Sequence, residues 1–228
     1  MKKVFAIVLA MMLVLSAAAI AETVKIGVFE PASGDSGAGG KQEMLGMQYA
    51  NVETPTVEIG GTTYDVELVY ADNGSSTDKA PSAAQQLVSA GVSVVLGSYG
   101  SGVSIAGSQY FADANIPAIG VTCTNPQVTA GNSHYFRVCF LDPFQGTVLA
   151  NYAFKELGVT TAYCLGELGN DYDQGLLTYF KQAFEGLGGT AIVESFPHDT
   201  QDFTSFLTIA EALSADVFFC PVSIDYAV

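Results

Sequence analysis

Between Val92 and Pro126 the chain reads VSVVLGSYGSGVSIAGSQYFADANIPAIGVTCTNP: an apolar strand, a Gly/Ser turn, an amphipathic helix, a short strand and a Thr/Asn turn. A strand–helix–strand run of this kind returns to a parallel neighbour, which commits the segment to an α/β layer. Both polar turns then lie at the carboxyl ends of adjacent parallel strands, where open α/β sheets bind ligands. The first turn also opens a helix, whose unbonded N–H groups favour an anion such as a carboxylate.

The same alternation runs through most of the chain. Thr23–Pro31 is a β-branched run that ends in the loop PASGDSGAGG, and a helix is predicted from about Lys41 to Asn51 with Met44, Met47 and Ala50 on one side. VEIGGTTYDVELVYADN predicts a hairpin turning at Gly60-Gly61. A helix follows over about Asp78–Ala90, with Pro81 in its first turn and Ala80, Ala84, Leu87 and Val88 as its apolar face. Residues 127–142 interrupt the pattern with a loop and one extended piece. It restarts with a helix over Pro143–Leu157, whose predicted apolar face is Phe144, Val148, Leu149 and Tyr152. Strand TTAYCLGE, a helix over Tyr172–Leu187, strand GTAIVESFP, a helix opened by Asp202 and strand ADVFFCPV complete the series.

These elements imply an α/β chain of two doubly wound, Rossmann-like lobes of parallel sheet with flanking helices. The expected boundaries are 22–134 for the first lobe, 135–142 for an inter-lobe crossing and 143–228 for the second lobe. The units are too few for a barrel. The second layer stops just after a strand, so it reads as incomplete.

Residues 1–21 carry two lysines, an apolar run from Val4 to Leu15 and Ala19-Ile20-Ala21 before Glu22, the order of a cleavable secretory signal. No cysteine stands near the cleavage point for a lipid anchor, so the expected location is the periplasm or the medium. The formal charge of −15 opposes nucleic acid and anionic membrane surfaces. The four cysteines show no CxxC spacing, and free buried thiols are favoured over disulfides, zinc or redox pairs.

Several motifs resemble those of the periplasmic branched-chain amino-acid-binding proteins, the solute receptors of ABC importers with the type I periplasmic-binding fold. The motifs are IGVFEPASGD, ADNGSSTDKAPSAAQQLVSAGVSVVLGSYGSG, IPAIGVTCTNPQVT, FRVCFLDPFQG, NDYDQGL and DFTSFL…ADVFF, in family order over nearly the whole chain after the signal. The resemblance implies capture of a small amino acid or related amide-like solute, delivery to a membrane permease, no cofactor and a monomer. It also implies further segments that complete both lobes, and it places the acid that grips the ligand's amino group beyond Val228.

Ser101, in GSYGSG, matches a family serine that binds the ligand carboxylate; on physical grounds its hydroxyl sits at a helix start and suits an anion, or serves as an N-cap. Gly100 and Gly102 beside it would let a ligand approach the backbone. Thr124, in VTCTNP, matches a ligand-contacting threonine, with Cys123 next to it offering backbone groups. Tyr172, in NDYDQGL, matches a tyrosine that reaches in from the second lobe, although Asp173 stands where that motif usually has glycine. Tyr99 is a weaker ligand candidate, as is Tyr226.

Other chemistries lack their residues. GDSGAGGKQ has Asp35 where a phosphate loop needs its first glycine, and Gln42 where it needs Ser or Thr. Ser101 is not in a G-x-S-x-G elbow, and the two histidines, His134 and His198, have no metal spacing. The sequence therefore favours binding over enzymatic turnover. A ligand-sensing module, a non-binding remnant and, least of all, an exported hydrolase are the alternatives.

Overall fold

The structure, a computed structural model, describes residues 23–226. The leader expected at residues 1–21 lies outside them.

The first lobe is built on a six-stranded sheet in the order β2-β3-β1-β4-β5-β6. Its strands are β1 (Thr23–Glu30), β2 (Thr56–Ile59), β3 (Thr62–Asp72), β4 (Val94–Leu96), β5 (Ala118–Gly120) and β6 (Tyr135–Arg137). All neighbours pair in parallel except β2 and β3, whose antiparallel hairpin turns at Gly60-Gly61 as the sequence implies. Three helices cover the sheet: α1 (Gly37–Glu53), α2 (Ala80–Ser89) and α3 (Ser101–Asp113). Alanines 80, 83 and 84 and Leu87 are fully or nearly buried on α2, and Phe29 of β1 meets Phe111 of α3 edge to face at 5.4 Å.

Residues expected to cross between lobes begin with an edge strand instead. β6 pairs with β5 through Tyr135, Phe136 and Arg137, so the first sheet continues to Arg137. The buried Tyr135 explains this, because its hydroxyl donates to the Gly97 carbonyl at 2.5 Å and fixes β6 against the sheet.

The second lobe has a three-stranded parallel sheet in the order β8-β7-β9, formed by β7 (Thr161–Glu167), β8 (Thr190–Phe196) and β9 (Val217–Phe219). Around it pack α4 (Asp142–Asn151), continued by a π-helical turn over Tyr152–Glu156, α5 (Asp171–Gly186) and α6 (Thr204–Ala212). Leu176, Leu177, Phe180 and Phe184 of α5 form the buried face that their spacing predicts, and Phe180 stacks on Phe219 with ring centroids 4.0 Å apart.

The apolar face expected for α4 is not its buried face. Phe144, Val148 and Tyr152 are exposed, and the helix turns Gly146 and Ala150 inward instead. The reason is close helix packing: a Cβ on Gly146 would lie 2.7 Å from the Phe180 backbone nitrogen. Small residues allow α4 to lie flat on α5, and the larger side chains are rotated outward. No helix among the described residues is long and apolar enough to cross a membrane.

Candidate functional site

The two polar turns singled out in the sequence meet at the carboxyl edge of the first sheet. α3 is capped by Gly100 in extended backbone, which makes Ser101 the first helical residue and leaves its side chain free of capping. Its hydroxyl accepts a hydrogen bond from the Asn125 N–H at 3.2 Å. The turn after β5 is thereby tied to the start of α3, and Ser101 and Thr124 line one cleft. Ser101 is 2 % exposed and Thr124 5 %, and the Thr124 Oγ1 has no hydrogen-bond partner among the described residues. The acceptor nearest to it is the buried Asp142 carboxyl.

Arg137 holds this turn from β6. One guanidinium nitrogen donates to the carbonyls of both Cys123 and Asn125 at 2.9 Å, and the other reaches the Thr129 hydroxyl at 2.8 Å. Asp142, at the start of α4, is fully buried with neither carboxyl oxygen partnered. Burial raises its pKa, while the neighbouring Thr124 hydroxyl and Arg137 counter the shift.

The opposite wall comes from the second lobe. Asn170 caps α5 by accepting from the N–H groups of Tyr172 and Asp173, which aims Tyr172 at the cleft, where its hydroxyl accepts from Gln145 Nε2 at 3.1 Å. Asp173, the departure from the glycine expected there, is buried and accepts from the Glu167 N–H at 2.8 Å. Burial pushes its pKa up to about 7, against the hydrogen bond from Glu167 N–H.

The lobes touch directly. Asn125 Nδ2 donates to the Asp171 carbonyl at 2.7 Å, and Ser223 Oγ donates to the Asp35 carbonyl at 3.0 Å. Gly102 lets Asp171 approach α3, since a Cβ there would sit 2.7 Å from the carboxylate oxygen. Between these contacts lies a cavity of about 730 Å³, bordered from the first lobe by Tyr99, Gly100, Ser101, Gly102 and Thr124 and from the second by Tyr172.

Six of the seven residues proposed from the sequence thus lie on one cleft. Cys123 does not. Its side chain is completely buried below the turn against Gly120, burial pushes the thiol up to about 11, and Arg137 occupies its carbonyl. Tyr226 packs against Phe196 and Phe203 instead of lining the cavity. The glycines of the phosphate-loop look-alike have a packing role: Gly39 admits the Tyr99 ring, which a Cβ would meet at 2.4 Å. Asn73 is buried and bonded to Ser98 and the Phe29 carbonyl.

Residues that sequence reasoning passed over also line the cleft. His198, which has no metal spacing, is exposed, and its Nδ1 lies 2.5 Å from Glu167 Oε1 and 3.9 Å from Asp35 Oδ2. The hydrogen bond with Glu167 raises the His198 pKa above the ordinary value. Neither local spacing nor composition connects His198 with Glu167, because β8 lies between them. Asp171 and Gln145 gain their places only through the α4–α5 packing.

Two α/β lobes with a ligand-sized cleft at the carboxyl edge of the first sheet define a type I periplasmic-binding fold. The chain belongs to the periplasmic binding protein family, whose model matches residues 23–227. A curated relative, the Leu/Ile/Val-binding protein homolog 3 of Brucella melitensis, is 29% identical over 198 residues, covering 86% of this chain and 53% of the relative. The crystal structure of a leucine-binding protein, LivK, from Thermotoga maritima superposes with a TM-score of 0.82 at 34% identity, over 86% of this chain and 55% of that one. The branched-chain amino-acid transporter substrate-binding protein LivJ of Streptococcus pneumoniae, solved with isoleucine, matches with a TM-score of 0.77 at 28% identity, over 87% of this chain and 57% of that one. The chain therefore spans about half the length of the relatives it matches.

Proposed function

We propose that the chain captures a small zwitterionic amino acid, or a close amide-like analogue, on the extracytoplasmic side of the membrane and presents it to an ABC permease. One observation carries this reading: Ser101 at the N-terminus of α3 and Thr124, both nearly buried, line the same cleft as Tyr172 of the second lobe. A carboxylate seated at Ser101 would receive charge-assisted hydrogen bonds from the hydroxyl and the helix N–H groups. Tyr172 would cover the apolar part of the ligand.

The charge around the cleft narrows the ligand class. Asp35, Asp78, Glu167, Asp171 and Asp173 line it with His198, and among the described residues neither Lys nor Arg does. A bare carboxylate would meet repulsion there, whereas a ligand carrying its own ammonium group balances the field. Binding is favoured over catalysis because Ser101 has no base beside it: its hydroxyl is engaged by a backbone N–H. Lobe closure couples to binding because only a closed state touches the ligand from both sides.

Titration calorimetry of this chain with L-leucine, L-isoleucine, L-valine and benzoate tests the reading. We expect at least one amino acid to bind more tightly than benzoate, and Ser101→Ala to weaken it by about 10-fold or more, the loss of one hydrogen bond to a charged group. Binding of benzoate alone, or an unchanged affinity in Ser101→Ala, overturns it.

A further inference from the structure

Behind the cup of the first lobe two carboxyl groups meet without a cation. Glu30 is the last residue of β1 and is 1 % exposed. Its Oε2 accepts from the Tyr99 N–H at 2.8 Å, while its Oε1 has no donor. That second oxygen presses against Gly97, where a Cβ would come within 2.4 Å of it. Glu43, from α1, accepts the Thr122 hydroxyl on Oε1, and its Oε2 is likewise buried without a donor. The Thr122 hydroxyl that Glu43 accepts also lies 3.4 Å from the carbonyl of Tyr99, whose N–H is bonded to Glu30, so the two carboxyls converge on one residue and come within reach of each other.

Two carboxylates cannot hydrogen-bond, because both only accept; a proton must stand between them. The surroundings offer no alternative compensation. Tyr135 of β6 is the ionisable neighbour of both Glu30 and Cys123, and Cys139 of the crossing segment is that of Glu43. Burial raises all three above their ordinary values, so they are neutral at neutral pH. Arg137 is turned toward the Cys123 and Asn125 carbonyls.

We propose that Glu30 and Glu43 share one proton, and that this acid–carboxylate pair is the positioning device that holds the Tyr99 and Thr122 segments in place to receive the ligand. Glu30 fixes the loop that leads into Ser101, and Glu43 fixes the turn that leads into Thr124. One bridging proton thus joins the two halves of the cup. The proposal rests on the binding reading above for its ligand, but the pair itself is visible without one.

Burial, then the hydrogen bond and charge of Glu43, push the Glu30 pKa far above the carboxylate range, and the Tyr99 N–H only partly opposes this. The folded state therefore retains a proton that the unfolded chain has already shed. The order that it confers is complete near neutral pH and is lost as the solution becomes alkaline.

The test compares wild type, Glu43→Gln and Glu43→Leu between pH 7 and pH 10. Exchange of the Tyr99 amide, followed by NMR, reads the pair without ligand; L-leucine calorimetry reads its effect on binding. In wild type we expect Tyr99 exchange, corrected for its intrinsic pH dependence, to lose about 10-fold of its protection toward pH 10, and leucine binding to weaken in parallel. Glu43→Gln can donate to an ionised Glu30 and still accept from Thr122, so both losses should vanish with pH. Glu43→Leu should be impaired at both pH values and more than Glu43→Gln. Identical pH profiles in wild type and Glu43→Gln overturn the proposal. If leucine does not bind to wild type at all, the ligand reading fails, and Tyr99 exchange alone decides the pair.

Discussion

Asn125 Nδ2 donates to the main-chain oxygen of Asp171 at 2.7 Å, joining the turn that carries Thr124 to the helix start that carries Tyr172. The same side chain accepts from the Gln127 N–H at 2.9 Å, so its amide orders its own turn while it reaches across the cleft. Asn125→Ala removes both bonds. The expected cost is about 2 kcal/mol in urea unfolding, and small-angle scattering should show a larger radius of gyration as the lobes separate.

Arg137 anchors the same turn through the Cys123 and Asn125 carbonyls and the Thr129 hydroxyl. Arg137→Met keeps much of the side-chain volume but removes every donor, and leaves the Cys123 and Asn125 carbonyls unpartnered. We expect a loss of about 2–4 kcal/mol by thermal or urea unfolding. Arg137→Lys restores the charge without the two-nitrogen fork and should recover only part of that.

Stability should fall as pH rises from about 4 to about 7, with Asp173 as a main contributor. Its carboxyl is shifted up to about 7 by burial, so the folded chain holds a proton there that the unfolded chain releases at ordinary aspartate pH. Asp173→Asn keeps an acceptor for the Glu167 N–H and cannot ionise. Urea unfolding across this range should show a flatter profile in the variant, by on the order of 3 kcal/mol between the two ends.

Gly146→Ala should damage the second lobe more than an alanine normally would in a helix. Its Cβ would fall 2.7 Å from the Phe180 nitrogen and 2.8 Å from Tyr179, both on the packed face of α5. Overpacking of this kind costs about 1–3 kcal/mol, against a helix-propensity gain of about 1 kcal/mol. A lowered melting temperature checks it; an increase would show that α4 is free to move away.

How far this architecture was legible depended on whether the relevant contact was local. Strand–helix alternation, the Gly60-Gly61 hairpin and the buried face of α5 follow from periodicity, because each depends on residues within one or two turns of chain. Ser101 and Thr124 could be placed together from the sequence, since parallel strands must bring their carboxyl ends to one edge. The outward rotation of α4 could not, because apolar spacing does not reveal that Gly146 faces a backbone. His198 beside Glu167, and Glu30 beside Glu43, are pairings between separate elements with no sequence signal. Cys123 shows the limit at a finer scale: the turn was identified correctly, but alternation across it sends that side chain into the core.

Arg137 is also the final residue of β6, and the Val138 N–H that follows makes the last bond to β5, to the Gly120 carbonyl at 3.1 Å. One end of this side chain is therefore fixed in the sheet edge, while the other end grips the turn bearing Thr124. The guanidinium is in effect a strut between edge strand and cup. The rim of the cleft and the last strand of the first sheet thus form one mechanical unit.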